Sequence, residues 1–408
     1  MTQHVAFVGP DIFSAYVDMV RGLKQAGALV TGIGHTPKSR LEPELRDRLD
    51  HYEHVPNLTS AGAVFKAVKK VNRVRSVDLL ETGDESLVLP VAQAREALEL
   101  PGLTVRSATL CRDKPAMKEA LRRVGVPCAA SAAVSSLAEL RTFVEREGFP
   151  VILKPRAALG GIGTYRANNV AELEQAANRL DLPKGNSVAV EEFVEGHEGF
   201  YDTLSADGAP VREYISHYYP SVLEALSDRT ASPQIAATNR VNADSYDELR
   251  AMGRKVIKAL GIGNSATHME WFYGPKGLKF SEIGARPPGE RIWDLYSAGN
   301  DLDMWFEWAA VTLHGRPAAN PSRRFASGSV QVRPQKDGRI SGYSGLDEVM
   351  SKIHPHMFAC RLPKLGTPTD PIHKGYLNNV WFRLRHPDYD TLRELLTYIG
   401  DRLTIHVE

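Results

Sequence analysis

The residues best suited to chemistry lie between positions 266 and 291, ATHMEWFYGPKGLKFSEIGARPPGER. Apolar and aromatic residues run into Gly274-Pro275-Lys276-Gly277, and alternation resumes over 278–283. Proline early in a turn and glycine at its left-handed position predict a three-residue hairpin loop built on a type I turn. In that register Gly274 faces Leu278, and counting outward sets Glu270 opposite Glu282. Like charges facing each other across a strand pair destabilise it, by up to about 1 kcal/mol. A cation between them reverses the sign, and Mg²⁺ takes one or two carboxylates together with substrate phosphates. Arg286 follows, and Pro287-Pro288-Gly289 precedes an expected helix start. An arginine and a helix N-terminus both favour anions, so the pattern suits a metal–phosphate site. A surface hairpin whose acids face water is the alternative.

Other candidates are weaker singly. Lys154 ends the apolar run VILK, where a lysine either snorkels outward or meets an anion. Gly160-Gly161-Ile162-Gly163-Thr164 follows, and glycines let backbone N–H groups approach phosphate oxygens as an anion nest. No GK[ST] follows, so this is not a Walker A loop, and read alone it fits any flexible hairpin tip. Lys114, in RDK, is equally unspecific alone. The run VAVEEFVEGHE at 188–198 is a strand entering a polar linker; the backbone of Phe193 and Val194 could hold a base and Glu198 ribose hydroxyls. An acidic loop at a domain junction competes evenly. His354-Pro355-His356 fits a surface turn better than a metal site. Without GxSxG, covalent catalysis has no support.

These residues need elements to hold them. Residues 4–106 alternate apolar runs (4–8, 29–33, 77–81) with helical patterns (14–25, 87–98), which predicts an open parallel α/β sheet. Gly9, Gly32 and Gly34 do not complete a dinucleotide fingerprint. Over 107–185, helices are expected at 114–123, 137–147 and 171–179, with a strand at 151–154 cut off by Pro155. Residues 186–325 open with a strand at 187–193 and carry the glutamate hairpin. Between them 216–240 reads as a long irregular loop, the kind that serves as a lid. Residues 326–408 read as a small strand-rich tail with one helix near 389–401. The expected units are 1–106, 107–185, 186–325 and 326–408.

Composition removes several classes. Lys and Arg number 50 against 49 Asp and Glu, so nothing global attracts a nucleic acid. No apolar run approaches the roughly 18 residues of a membrane span. The N-terminus lacks a signal-peptide core, and three scattered cysteines make disulfides and zinc improbable. A soluble cytoplasmic protein with small-molecule substrates is expected.

Taken together, RDK at 112–114, VILKP at 151–155, GGIGT at 160–164, EEFVEGHE at 191–198 and HMEW…SEIGAR at 268–286 resemble the ATP-grasp superfamily in order and spacing. Within it the chain is most similar to the carboxylate–amine ligases called L-amino-acid ligases. The resemblance covers nearly the whole chain and implies an α/β ATP-grasp fold. It implies ATP phosphates at Lys114 and Lys154, a covering loop at Gly160, Gly161, Gly163 and Thr164, and adenine at Glu191 and Val194. It also implies ribose at Glu198 and two Mg²⁺ ions, or alternatively Mn²⁺, at Glu270 and Glu282. Many members carry Asn two residues after the second metal glutamate, where this chain has Gly284, which leaves the third metal contact open.

The expected reaction is ATP-dependent joining of an amino acid or small acid to an amine through an acyl phosphate, releasing ADP and phosphate. Phosphoryl transfer needs mainly positioning and charge neutralisation. Arg286 is placed to stabilise the acyl phosphate or its tetrahedral successor. His268, on the face of Glu270, would orient substrate or accept an amine proton, or simply pack. Carboxylation through carboxyphosphate, as in biotin carboxylase relatives, and a non-catalytic nucleotide-binding regulator are the alternatives. The resemblance is compatible with a homodimer.

Overall fold

The computed structural model describes residues 2–157, 163–371 and 379–408. Strands β1 (His4–Val8), β2 (Leu29–Gly34), β3 (His51–His54) and β4 (Leu79–Thr82) form a parallel sheet in the order β3-β2-β1-β4. Side chains alternate across it, with Val5 and Phe7 entering one core cluster and Ala6 and Val8 another. β3, HYEH, carries no apolar run, which is why its sequence does not announce a strand. The order reverses between β1 and β4, and such a switch point opens a crevice at the carboxyl ends of the strands. Residues 83–87 leave β4 at that end.

The helix Lys114–Arg123 starts on the side chain of Asp113, which accepts from the N–H of Ala116, with Pro115 in the first turn. Its apolar face, Met117 and Leu121, packs with Phe280 and Ile283 in one cluster. Phe280 N–H also donates to Pro127 O at 2.7 Å, tying the chain after this helix to the glutamate hairpin. Next come β5 (Ser131–Val134), β6 (Val151–Pro155), β7 (Tyr165–Ala167) and β8 (Val188–Glu192), an antiparallel sheet in the order β5-β8-β6-β7. Pro155 closes β6 rather than lying beyond it: it sits opposite Val188, while the pairing with β7 stops at Leu153. The helices Leu137–Glu147 and Val170–Arg179 cover this sheet through Leu140, Phe143, Leu173 and Ala177.

The largest sheet has eight strands. They are β9 (His197–Ala206), β10 (Ala209–Tyr219), β11 (Gln234–Ala237), β12 (Ser265–Gly274), β13 (Gly277–Gly284), β14 (Ala326–Val332), β16 (Met357–Arg361) and β17 (Val380–His386). Their order is β13-β12-β9-β10-β11-β14-β17-β16, so the sheet runs across residue 325. β15 (Ile340–Ser344) pairs with β18 (Thr404–Val407) beside it. The expected loop at 216–240 is corrected here. It contains the end of β10, the helix Val222–Ser227 and the interior strand β11. β11 is buried at all four positions, so the polarity of Gln234 and the small size of Ala236 and Ala237 hid it. The tail holds a second helix, Leu346–Ile353, besides Tyr389–Arg402. Among the described residues no helix is long and apolar enough to cross a membrane.

Candidate active site

The glutamate hairpin reaches its expected pairing by an unexpected route. Gly274 sits opposite Gly277, not Leu278, so the register near the turn is one residue off the expectation. A bulge at Ser281, between the pairs Trp271–Phe280 and Glu270–Glu282, restores it. Gly277 has φ +75°, the left-handed value the turn requires. On the other side of β12, Phe272 faces Glu198 and His268 faces Asp202 across β9. Glu198, Asp202, His268, Glu270 and Glu282 therefore share one face of the sheet, opposite the Trp271 and Phe280 side chains of the core.

Against that face stand lysines from two other elements. Lys114 Nζ lies 3.3 Å from Glu282 Oε2, and Lys154 Nζ, near the end of β6, lies 3.7 Å from the same oxygen. Lys154 also reaches Glu191 Oε2 of β8 at 3.0 Å. Lys118, one turn beyond Lys114, contacts Glu191 Oε2 at 2.7 Å and is only 1% exposed. Burial opposes ionisation of Glu191, yet Lys118 and Lys154 hold it down at about 2. Burial likewise resists the charge on Glu282, and Lys114 and Lys154 lower it regardless. Glu198 behaves oppositely: burial first, then the charge of Glu270, push it up to about 8, despite a 2.6 Å bond from Val222 N–H.

All of these groups line one cleft of about 1260 Å³. Of the expected residues, Lys114, Lys154, Thr164, Glu191, Phe193, Val194, Glu198, Glu270 and Glu282 face it. Gly160 and Gly161 lie outside the described residues. Gly163 has φ +72° and packs against the Pro155 ring, so it shapes the backbone rather than lining the cleft. The donor set suits a hard divalent cation: all-oxygen, with two glutamates, Glu270 and Glu282, face to face, beside a Glu198 whose carboxyl is pushed up by burial first and then by the charge of Glu270. Among the described residues no group of three or more His, Cys, Asp or Glu side chains is arranged to enclose a metal by itself. A Mg²⁺ site completed by phosphate oxygens has that composition.

Residues 113–287 match the family model for the ATP-binding domain of carbamoyl-phosphate synthase L chain. The L-amino acid ligase from Bacillus licheniformis has the same fold over 100% of this chain and 99% of its own, with a TM-score of 0.76 at 18% identity. The likeness to an ATP-binding domain thus lies in residues 113–287, and the whole chain shares the ligase's fold. The alanine–anticapsin ligase of Bacillus subtilis (strain 168) is 28% identical over 230 residues, 51% of this chain and 48% of that protein. The chain thus spans about half the length of this relative in the matched region. An L-arginine-specific L-amino acid ligase of Bacillus subtilis is 23% identical over 305 residues, covering 73% of each chain.

His268 and Arg286 also lie off the large cleft. His268 is 9% exposed, with Nδ1 2.7 Å from Asp202 Oδ1 and Nε2 3.8 Å from Glu270 Oε1. Burial works against its charge, but Asp202, by charge and hydrogen bond, raises it to about 9. The proton on His268 is held by Asp202, an arrangement that suits orienting a neighbour. Its geometry ties Asp202 to Glu270. Asp202 also accepts from Tyr296 OH at 2.5 Å. Arg286 Nε donates to Glu85 Oε2 at 2.7 Å and Nη1 to Pro287 O at 2.7 Å. Past Gly289, the helix Ile292–Asn300 begins where the sequence places a helix start.

Sequence reasoning missed Lys118, Asp202 and Glu85. Lys118 had a readable signal, since positions i and i+4 share a helix face with Lys114. Asp202 and Glu85 had none, lying 66 and 201 residues from their partners.

Proposed function

We propose that the protein is an ATP-dependent carboxylate–amine ligase, joining an amino acid or small carboxylic acid to an amine. The observation that carries this is the convergence of Lys114, Lys118 and Lys154 on the carboxylates of Glu191 and Glu282 within one cleft. In this proposal Lys114 and Lys154 exchange Glu282 for ATP phosphate oxygens, and residues 160–164 would be the loop over them. Glu191 Oε1 is buried and has no hydrogen-bond partner among the described residues, which suits the exocyclic amino group of adenine. The backbone of Phe193 and Val194 would flank the base, and Glu198 would take the ribose hydroxyls.

Glu270 and Glu282 would hold Mg²⁺, which when bound neutralises phosphate charge. A carboxylate oxygen of the acid attacks the γ-phosphorus, the bond to the β-phosphate oxygen breaks, and ADP leaves. The amine nitrogen then attacks the acyl carbon, phosphate departs with the bonding electrons, and the nitrogen loses a proton. Arg286 would stabilise the oxyanion at that second centre, worth about 3 kcal/mol for one such donor. No covalent nucleophile is needed. The four units 1–106, 107–185, 186–325 and 326–408 belong to the same proposal, with ATP between the second and third.

The test is a phosphate-release screen of amino-acid pairs with ATP and magnesium, with mass spectrometry of the products. Amide-bonded product with stoichiometric ADP and phosphate supports ligation. Phosphate release driven by bicarbonate instead would move the proposal to carboxylation. Nucleotide binding without turnover would leave a regulator.

A further inference from the structure

Glu85 leaves the carboxyl end of β4, in the parallel sheet, and ends beside the last residues of β13. Its two oxygens serve two arginines: Oε1 lies 3.2 Å from Arg112 Nη1 and Oε2 lies 2.7 Å from Arg286 Nε. The carboxylate is 11% exposed, and both guanidinium groups are less than one-fifth exposed. Arg112 is next to Asp113, the cap of the helix bearing Lys114, and its Nη2 lies 3.4 Å from Ala157 O, three residues before Gly160. Glu85 therefore joins three pieces that sequence separates widely: the phosphate-lysine helix, the entry to the glycine loop, and Arg286.

Gly284 fits the same geometry. A Cβ built there would lie 2.7 Å from Glu85 Oε2, closer than real Cβ contacts come. Arg286 Cγ would be 3.5 Å away. A side chain at 284 and the Glu85 carboxylate compete for one space. A carboxylate end can swing away in principle, but this one is fixed by two buried ion pairs, and breaking a buried pair is costly.

We propose that Glu85 is the positioning residue for Arg286, and that Gly284 is small because Glu85 fills the space that a side chain on β13 would otherwise use. The inference rests on the ligase reading for what Arg286 does, but not for where Glu85 sits. Bonds to Glu85 and Pro287 fix the guanidinium plane through Nε and Nη1. Nη2 makes no hydrogen bond among the described residues, leaving it as the donor for an oxyanion. The array of Arg112, Glu85 and Arg286 carries a net positive charge while holding each arginine in one orientation. Because Glu85 comes from the unit before the matched ATP-binding segment, the docking of that unit sets the geometry at the reacting carbon. Misplacement of about 1 Å at such a centre costs on the order of a hundredfold in rate.

The experiment has two arms. The first measures melting of the wild type, Glu85→Ala, Gly284→Asn and the double variant, all without ligand. Shared space predicts that Gly284→Asn lowers the melting temperature in the wild-type background and lowers it much less beside Glu85→Ala. Additive shifts would overturn the assignment of that space to Glu85, whatever the enzyme does. The second arm uses Glu85→Gln, which keeps the shape and removes the charge, with any acid–amine pair found active in the screen. Product formation should fall at least tenfold, with KM for ATP within about twofold of wild type, the pattern of a lost transition-state interaction. An unchanged kcat in properly folded Glu85→Gln would refute the positioning role. If no pair is active, the ligase reading fails, and the melting arm still decides whether Glu85 and residue 284 share one space.

Discussion

The two ends of the site differ in how their charges are matched. At the ATP end, lysines and glutamates face each other in a wide cleft, and the two contacts of Glu282 are loose, 3.3 and 3.7 Å to Lys114 and Lys154, although Glu191 is held at 2.7 and 3.0 Å. Glu198 there is pushed up to about 8, by burial and then by Glu270. At the Arg286 end the contacts are short and closed, 2.7 Å from Arg286 to Glu85 and 2.7 Å from His268 to Asp202. One end has carboxylate charge that a cation would settle and lysines that phosphates would take. The other is already set before anything binds. Such a division suits a reaction in which charge arrives with one substrate but develops later at another atom, where preorganised donors act best.

The largest effect should come from Glu282→Gln, which breaks the ATP end at its centre. Measurable turnover should vanish. Because Glu282 also compensates Lys114 and Lys154, melting without ligand should fall, by about 2–4 °C for each kcal/mol lost, although repulsion with Glu270 is relieved. The stabilising shift given by Mg-ATP should shrink as well. Near-wild-type activity at limiting magnesium would remove Glu282 from the metal site.

Next in size is Arg286→Lys, directed at the closed end. An ammonium cannot reproduce a planar fork, so product formation should drop about a hundredfold while ATP affinity, measured by calorimetry, stays near normal. Equal losses in ATP binding and turnover would place Arg286 with the nucleotide and erase the contrast between the ends. A smaller effect is expected of Lys118→Met, which keeps the stem but leaves Glu191 with Lys154 alone. KM for ATP should rise about tenfold, equivalent to about 1.4 kcal/mol, with kcat little changed. A fall in kcat with KM unchanged would mean that Lys118 serves the chemistry rather than the base.

What the sequence discloses follows the range over which each feature is determined. The helix Lys114–Arg123 has its own cap and proline, and its bounds are readable within a few residues. The facing of Glu270 and Glu282 was reached from turn chemistry, yet through two compensating differences, a tighter pairing at Gly274 and the bulge at Ser281. Bulges carry no composition signal, so that agreement owes something to their cancelling. β11 escaped notice because an interior strand buried on both faces loses the alternation by which strands are recognised. The state of His268 depends on Asp202, and the hold on Arg286 depends on Glu85; neither partner is local. Spacing therefore points to which residue types meet phosphate, whereas the protonation and orientation of the Arg286 end are tertiary properties.

The most direct measurement uses amino acids labelled with ¹⁸O in both carboxylate oxygens as acids in the ATP- and magnesium-dependent reaction. An acyl phosphate requires one ¹⁸O atom in the released inorganic phosphate for each amide bond formed, with ADP unlabelled. Label in AMP, or unlabelled phosphate accompanying amide product, would contradict an acyl-phosphate route in this cleft.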